Sequence, residues 1–234
     1  TCNGCDDATI SINANGGTAP LQYSINNGTT YQNGSTFNNL SAGNFQIIVQ
    51  DANGCTQTTA VSITQPTAVV INSIPVVPVT CNGTPTGNIV INANGGTAPL
   101  QYSINNGSAY QNSNTFNNLS AGNYQIVVQD ANGCTQTTSA TVTQPSAVVI
   151  ASSLPTPATC NGTATGSIVI NANGGTAPLQ YSINNGTTFQ NGNTFNNLSA
   201  ANYQLVVQDA NGCTQTANVV ITQPTSVAIN STPV

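Results

Sequence analysis

The chain has 234 residues with no Lys, Arg or His, and its five acidic side chains give a net charge of −5. Nothing in it can neutralise phosphate or hold an anionic bilayer surface, which excludes nucleic acid and basic-patch membrane docking. All five acids are Asp, so no His, Lys or Glu is present to activate a nucleophile, and the chain reads as a non-enzyme. Side-chain salt bridges are excluded on the same count. With 38% hydrophobic residues the chain is too apolar for disorder of the low-hydrophobicity, high-charge kind. It shows no leader-like or membrane-spanning run and reads as a stretch of something longer.

The seventeen letters INANGGTAPLQYSINNG occur at 12–28, 91–107 and 170–186, a period of 79 residues. VQDANGCTQT at 49–58, 128–137 and 207–216 and TFNNLSA at 36–42, 115–121 and 194–200 keep the same register. A fixed period of this length marks a linear array of small units. Cut at the recurring TCNG, the units are 1–79, 80–158 and 159–234.

Within a unit, taken from the second copy, the apolar residues alternate with period two. Ile89, Ile91 and Ala93 share one face. Asn94-Gly95-Gly96 then marks a turn. Leu100, Tyr102 and Ile104 follow, with Gln101, Ser103 and Asn105 pointing outward. Asn106-Gly107 is a hairpin signal, as is Asn132-Gly133 further on. Leu119-Ser-Ala-Gly-Asn-Tyr124 resembles a tyrosine corner, in which the hydroxyl bonds back to nearby backbone. Tyr203 matches this position and Phe45 lacks the hydroxyl. Tyr124, Ile126 and Val128 face inward between Gln125 and Gln129; Ala140 and Val142 do so before Gln144-Pro145 breaks the pattern. Val148 and Ile150 close the set. The expected fold is all-β, a tandem array of three immunoglobulin-like β-sandwich repeats with about six or seven short strands each. Asn72–Pro78 and Ala151–Pro157 read as short, stiff connectors between sandwiches. A strand rises about 3.3 Å per residue, so each unit would extend the array by about 35–40 Å.

Each unit opens with a cysteine, and a second follows 53 residues later. The spacing predicts disulfides Cys2–Cys55, Cys81–Cys134 and Cys160–Cys213, and with them an oxidising, extracellular setting. Cys5 is left over, either a free thiol or an intermolecular one. Asp51, Asp130 and Asp209 recur once per unit in the turn QDANGC. One carboxylate beside Asn and backbone carbonyls makes this a candidate calcium turn, although Asp beside Asn-Gly is also an ordinary turn former. No other cofactor is suggested.

TCNG, GGTAPLQYSINNG, LSAGNYQIVVQDANGCT and TQP, in that order, resemble the SprB-type repeat of very large surface adhesins of gliding bacteria. The resemblance spans all three units. It implies a secreted or cell-surface filament serving adhesion, in which neighbouring repeats of the same chain are the first partners. Three roles fit: a disulfide-stapled stalk; a subunit of an extracellular filament, in which the terminal strand around Val227 and Ile229 adds to the sheet of another copy; or an array of weak sites for surface polysaccharide.

Overall fold

A computed structural model describes residues 2–230 of the chain, all of them strand, turn or coil. The first period supplies β1 (Ala8–Ser11), β2 (Gln22–Ser24), β3 (Thr36–Leu40), β4 (Gly43–Gln50) and β5 (Thr56–Ile63). Next come β6 (Val70–Ser73), β7 (Val76–Val77), β8 (Gly87–Val90), β9 (Asn92–Asn94), β10 (Gln101–Ser103), β11 (Thr115–Leu119), β12 (Gly122–Gln129) and β13 (Thr135–Val142). The third set is β14 (Val149–Thr156), β15 (Gly166–Asn173), β16 (Gln180–Ser182), β17 (Thr194–Leu198), β18 (Ala201–Gln208) and β19 (Thr214–Ile221).

The chain divides into two compact units whose boundary runs through the second period: Thr1–Pro75, Val90–Thr115 and Tyr124–Ala140 form one, and Val76–Ile89, Phe116–Asn123 and Thr141–Val234 the other. The second unit holds the most complete sandwich. Its sheets are β14–β15–β17 and β16–β18–β19, antiparallel throughout. Val148, Ile168 and Ile170 from one side meet Leu205, Val207, Val219 and Ile221 from the other in a single apolar core. Inward residues at every second position produce this core, as the alternation requires. In the first unit the sheets are β1–β3, β2–β4–β5 and β6–β9, with β10–β12–β13 lying mostly in it.

Turn chemistry follows the letters. Asn53-Gly54, Asn132-Gly133 and Asn211-Gly212 join the long strands of each hairpin, and the glycine alone takes positive φ. At Asn27-Gly28, Asn106-Gly107 and Asn185-Gly186 both residues are left-handed, for example φ 57° and 78° at Asn185 and Gly186. The Tyr203 hydroxyl donates to the Ser199 carbonyl at 2.9 Å, so the tyrosine corner forms there. In GGTAP the Ala–Pro bonds at 19–20, 98–99 and 177–178 are cis.

Three expectations need correction. First, Ser103 is not outward: Ser24, Ser103 and Ser182 are fully buried. The loop carrying Asn106-Gly107 folds back over this face, where Tyr102 pairs with Gln111 and Asn105 with Gln125. Ser103 Oγ donates to Asn105 Oδ1 at 2.7 Å and accepts from the Gly107 N–H at 3.0 Å, so it holds the turn closed. Second, the supposed connectors are strands. Ala151–Pro157 lies largely within β14, whose residues pair with β15 from Val149↔Asn173 to Thr156↔Ser167. Asn72–Pro78 likewise contains part of β6 and all of β7, paired with β9 and β8. Third, it follows that the sandwich is out of phase with the units 1–79, 80–158 and 159–234. The last sandwich begins near Val148, one strand before Cys160.

Candidate functional site

QDANGC forms the same tie in each period. In the third, Asp209 Oδ1 accepts the N–H of Asn211 at 2.9 Å and of Cys213 at 2.8 Å, while Oδ2 accepts the Thr176 N–H at 2.8 Å. Asp130 does the same with Asn132, Cys134 and Thr97. Asp51 does so with Asn53, Cys55 and Thr18. The carboxylate thus fastens the Asn-Gly hairpin to the GGT loop. The loop must come close: a Cβ on Gly96 would lie 2.8 Å from Asp130 Cβ. Both oxygens face N–H donors, so a turn-holding role accounts for the recurrence of Asp51, Asp130 and Asp209. Among the described residues no three His, Cys, Asp or Glu side chains gather into a cation cage.

Burial, the largest single influence, raises the pKa of Asp130 and Asp209. The backbone N–H groups of Thr97 and Cys134, and of Thr176 and Cys213, outweigh it with their neighbours and leave both carboxyls below the usual 3.8. At Asp51 the Thr18 N–H is the largest influence, and the net shift is again downward. A carboxyl whose folded pKa is depressed contributes stability that is complete above its unfolded value and is lost as pH falls through the folded one. The sequence holds no His and no Glu. The denaturation midpoint should therefore stay flat from pH 8 to about 4.5 and fall only in stronger acid. A midpoint that already declines between pH 7 and 5 would contradict this assignment.

The cysteines do not pair as the 53-residue spacing suggested. Cys2 is bonded to Cys134 and Cys81 to Cys213, with Cα separations of 5.6 Å. Cys55, Cys160 and Cys5 are free and exposed. The pairs Cys2–Cys55, Cys81–Cys134 and Cys160–Cys213 are ruled out by the strands between them. Asn3 Nδ2 donates to the Pro66 carbonyl and the Gly4 N–H to Gln65 Oε1, so the TCNG loop is clamped just beyond the end of β5. Cys55 lies before the start of β5, an eight-residue strand away. That is about 26 Å at 3.3 Å per residue, against roughly 7 Å for the longest Cα separation a disulfide spans. From the clamp the chain enters β6 of the next sandwich, whose QDANGC turn lies at the end where β6 starts, and Cys2 meets Cys134 there. Cys5 stands where Thr84 and Thr163 bond the carbonyls of Cys81 and Cys160 through their hydroxyls.

The first sandwich differs from the others although its letters are the same. In the second and third, β6 and β14 lie along the INAN segment; among the described residues no strand lies along it in the first. Asn92–Asn94 is strand β9 and Asn171–Asn173 ends β15, whereas Asn13–Asn15 is coil. Ile91 and Ile170 are fully buried and Ile12 is only half-buried. The Gly96 and Gly175 N–H groups donate to the carbonyls of Thr67 and Ser146, and Gly17 has no such bond. A Cβ on Gly95 or Gly174 would sit 1.9 Å from the carbonyl oxygen of Ala68 or Ala147, and one on Gly16 would meet nothing within 4 Å. What remains is a groove of about 610 Å³, lined by Ile12, Ala14, Leu21, Ile47 and Val49 with Cys55 on its wall. No spacing rule could have found it, because in the other two sandwiches the strand that fills this place comes from the preceding period.

The family model described as the SprB repeat matches residues 1–30, 73–109 and 152–188, one match per period. No curated protein matches the chain. Among solved structures, the N-terminal eight immunoglobulin domains of Down Syndrome Cell Adhesion Molecule are similar at 10% identity and TM-score 0.40, over 88% of this chain and 33% of that one. Domains 3–5 of Drosophila OTK align at 13% identity and TM-score 0.30, over 86% and 85%. Domains 1–6 of the surface layer protein SbsC align at 12% and 0.31, over 89% and 36%. The chain spans about a third of the first of these.

Proposed function

We propose that this chain of three SprB repeats is a load-bearing shaft segment of a secreted or cell-surface adhesin. One observation carries the reading: the two disulfides overlap in sequence. Three covalent routes through the bridges join Cys2 to Cys213: along the chain to Cys81 and across its bridge; across to Cys134 and on along the chain; and, shortest, across to Cys134, back along the chain to Cys81 and across again. The shortest crosses two bridges and only the 53 residues from Cys81 to Cys134, and the other two cross one bridge and one 79-residue period each, so tension has several covalent paths. The bridges need an oxidising exterior, which agrees with a surface location. An uncharged amide and hydroxyl surface makes the fold insensitive to salt, since there are no ion pairs to screen. The reading assigns the chain no catalysis.

Pulling single molecules from their ends tests it. The oxidised chain should extend between Cys2 and Cys213 by no more than roughly 200 Å, and the reduced chain by roughly 740 Å, at about 3.5 Å per residue. Equal contour lengths with and without reductant would defeat the proposal.

A further inference from the structure

We propose that the open groove of the first sandwich receives the C-terminal segment of a second copy, around Val227 and Ile229, and that Cys160 of that copy closes a disulfide on Cys55. This is a statement about self-assembly and stands whether or not the adhesin reading holds.

The two junctions inside the chain supply the template. At each, a TCNG loop clamps the Gln-Pro segment, the following residues enter the next sandwich as its first strand, and the loop cysteine bonds that sandwich's QDANGC turn. The third clamp is already made: Asn161 Nδ2 donates to the Pro224 carbonyl at 3.1 Å and the Gly162 N–H to Gln223 Oε1 at 2.8 Å. After it, residues 225–230 belong to no strand. Val227 is 97% and Ile229 86% exposed, whereas the matching Val148 is 6% exposed and belongs to the third core. Among the described residues, 225–230 are therefore a segment with two exposed apolar side chains and no sheet, and the first sandwich is a sheet and core with no first strand.

The cysteines agree independently. Both bridges join residues 132 apart. Cys160 is the loop cysteine of the third clamp and Cys55 the turn cysteine of the first sandwich, and neither has a partner in its own chain. Each is the half that the other lacks. By the register of the third sandwich, Ala228 falls opposite Asn15 and Ile229 opposite Ala14. Gly17 gains the Thr225 carbonyl as acceptor, as Gly175 has that of Ser146. Ser226 takes the place of Ala147, whose carbonyl oxygen leaves no room for a side chain at Gly174. This is strand addition with main-chain bonds giving affinity and the two apolar side chains giving register. A head-to-tail contact that does not close on itself propagates as a filament. In the covalent step the two S–H bonds break and one S–S bond forms. Two protons and two electrons pass to a low-molecular-weight disulfide, which leaves as two thiols.

The test uses the intact chain, half of it ¹⁵N-labelled, oxidised with glutathione disulfide. The expected result is a ladder at integer multiples of the monomer mass on a non-reducing gel, and a peptic Cys55–Cys160 peptide with one labelled and one unlabelled half. Cys160→Ser should abolish the ladder and leave oligomers in light scattering. Cys5→Ser should keep it. The double variant Val227→Asp/Ile229→Asp changes only exposed residues and should lower the scattering mass at least tenfold. Monomers with both thiols free, a Cys55–Cys160 bridge confined to one molecule, or undiminished polymers from the double variant would each overturn the proposal.

Discussion

Breaking the Cys2–Cys134 bridge by Cys134→Ser is expected to cost the first unit about 5 kcal/mol, the chain-entropy value for a loop of this size. The bridge closes a loop spanning 132 positions. The closed loop contains β1 to β12, so the unfolded chain regains most of its freedom when the bridge is lost. Chemical denaturation followed by tyrosine fluorescence, in a chain without Trp, reads the effect directly. Cys160→Ser provides the comparison, because that thiol has no partner in its own chain and the monomer's stability should not change. Peptide mapping must use pepsin, since the sequence offers trypsin no site. A Cys2–Cys55 peptide, or equal losses from Cys134→Ser and Cys160→Ser, would refute the pairing.

Asp209→Ala should destabilise the second unit by about 3 kcal/mol, from three lost charge-assisted hydrogen bonds at a buried carboxylate. Asp209 is 4% exposed, so water cannot replace the carboxylate. Asp209→Asn keeps the shape and should still fail. An amide has a single acceptor oxygen, and its NH2 group would face either the Thr176 N–H or the pair at Asn211 and Cys213. Amide hydrogen exchange at those three residues should accelerate in both variants. Protection unchanged in Asp209→Ala would show that the tie does not hold the turn. Asp51→Ala should cost less, because the first sandwich leaves that carboxylate half-exposed.

The Asp assignment also shows how far pattern reading reaches. One Asp per period beside Asn-Gly is compatible with a cation ligand or with a turn, and the letters are equal for both. The choice depends on Thr97 or Thr176, which approaches from a loop 33 residues earlier and delivers an N–H to the second oxygen. Similarly, Ser103 alternates in phase with outward Gln101 and Asn105, and only the returning loop buries it.

Local chemistry determined the repeat, the all-β class, the inward residues Ile89, Ile91, Ile126 and Val128, the Asn-Gly hairpins and the corner at Tyr203, because each depends on neighbours a few positions away. Tertiary structure alone decided where a sandwich starts, which cysteines meet, and that the first sandwich is left open. A periodic sequence can be cut at any phase, and alternation assigns a residue to a face without naming the strand beside it. Hydrogen-bond partners from the preceding period choose the phase. Identical INAN segments are therefore strand in two places and coil in the third.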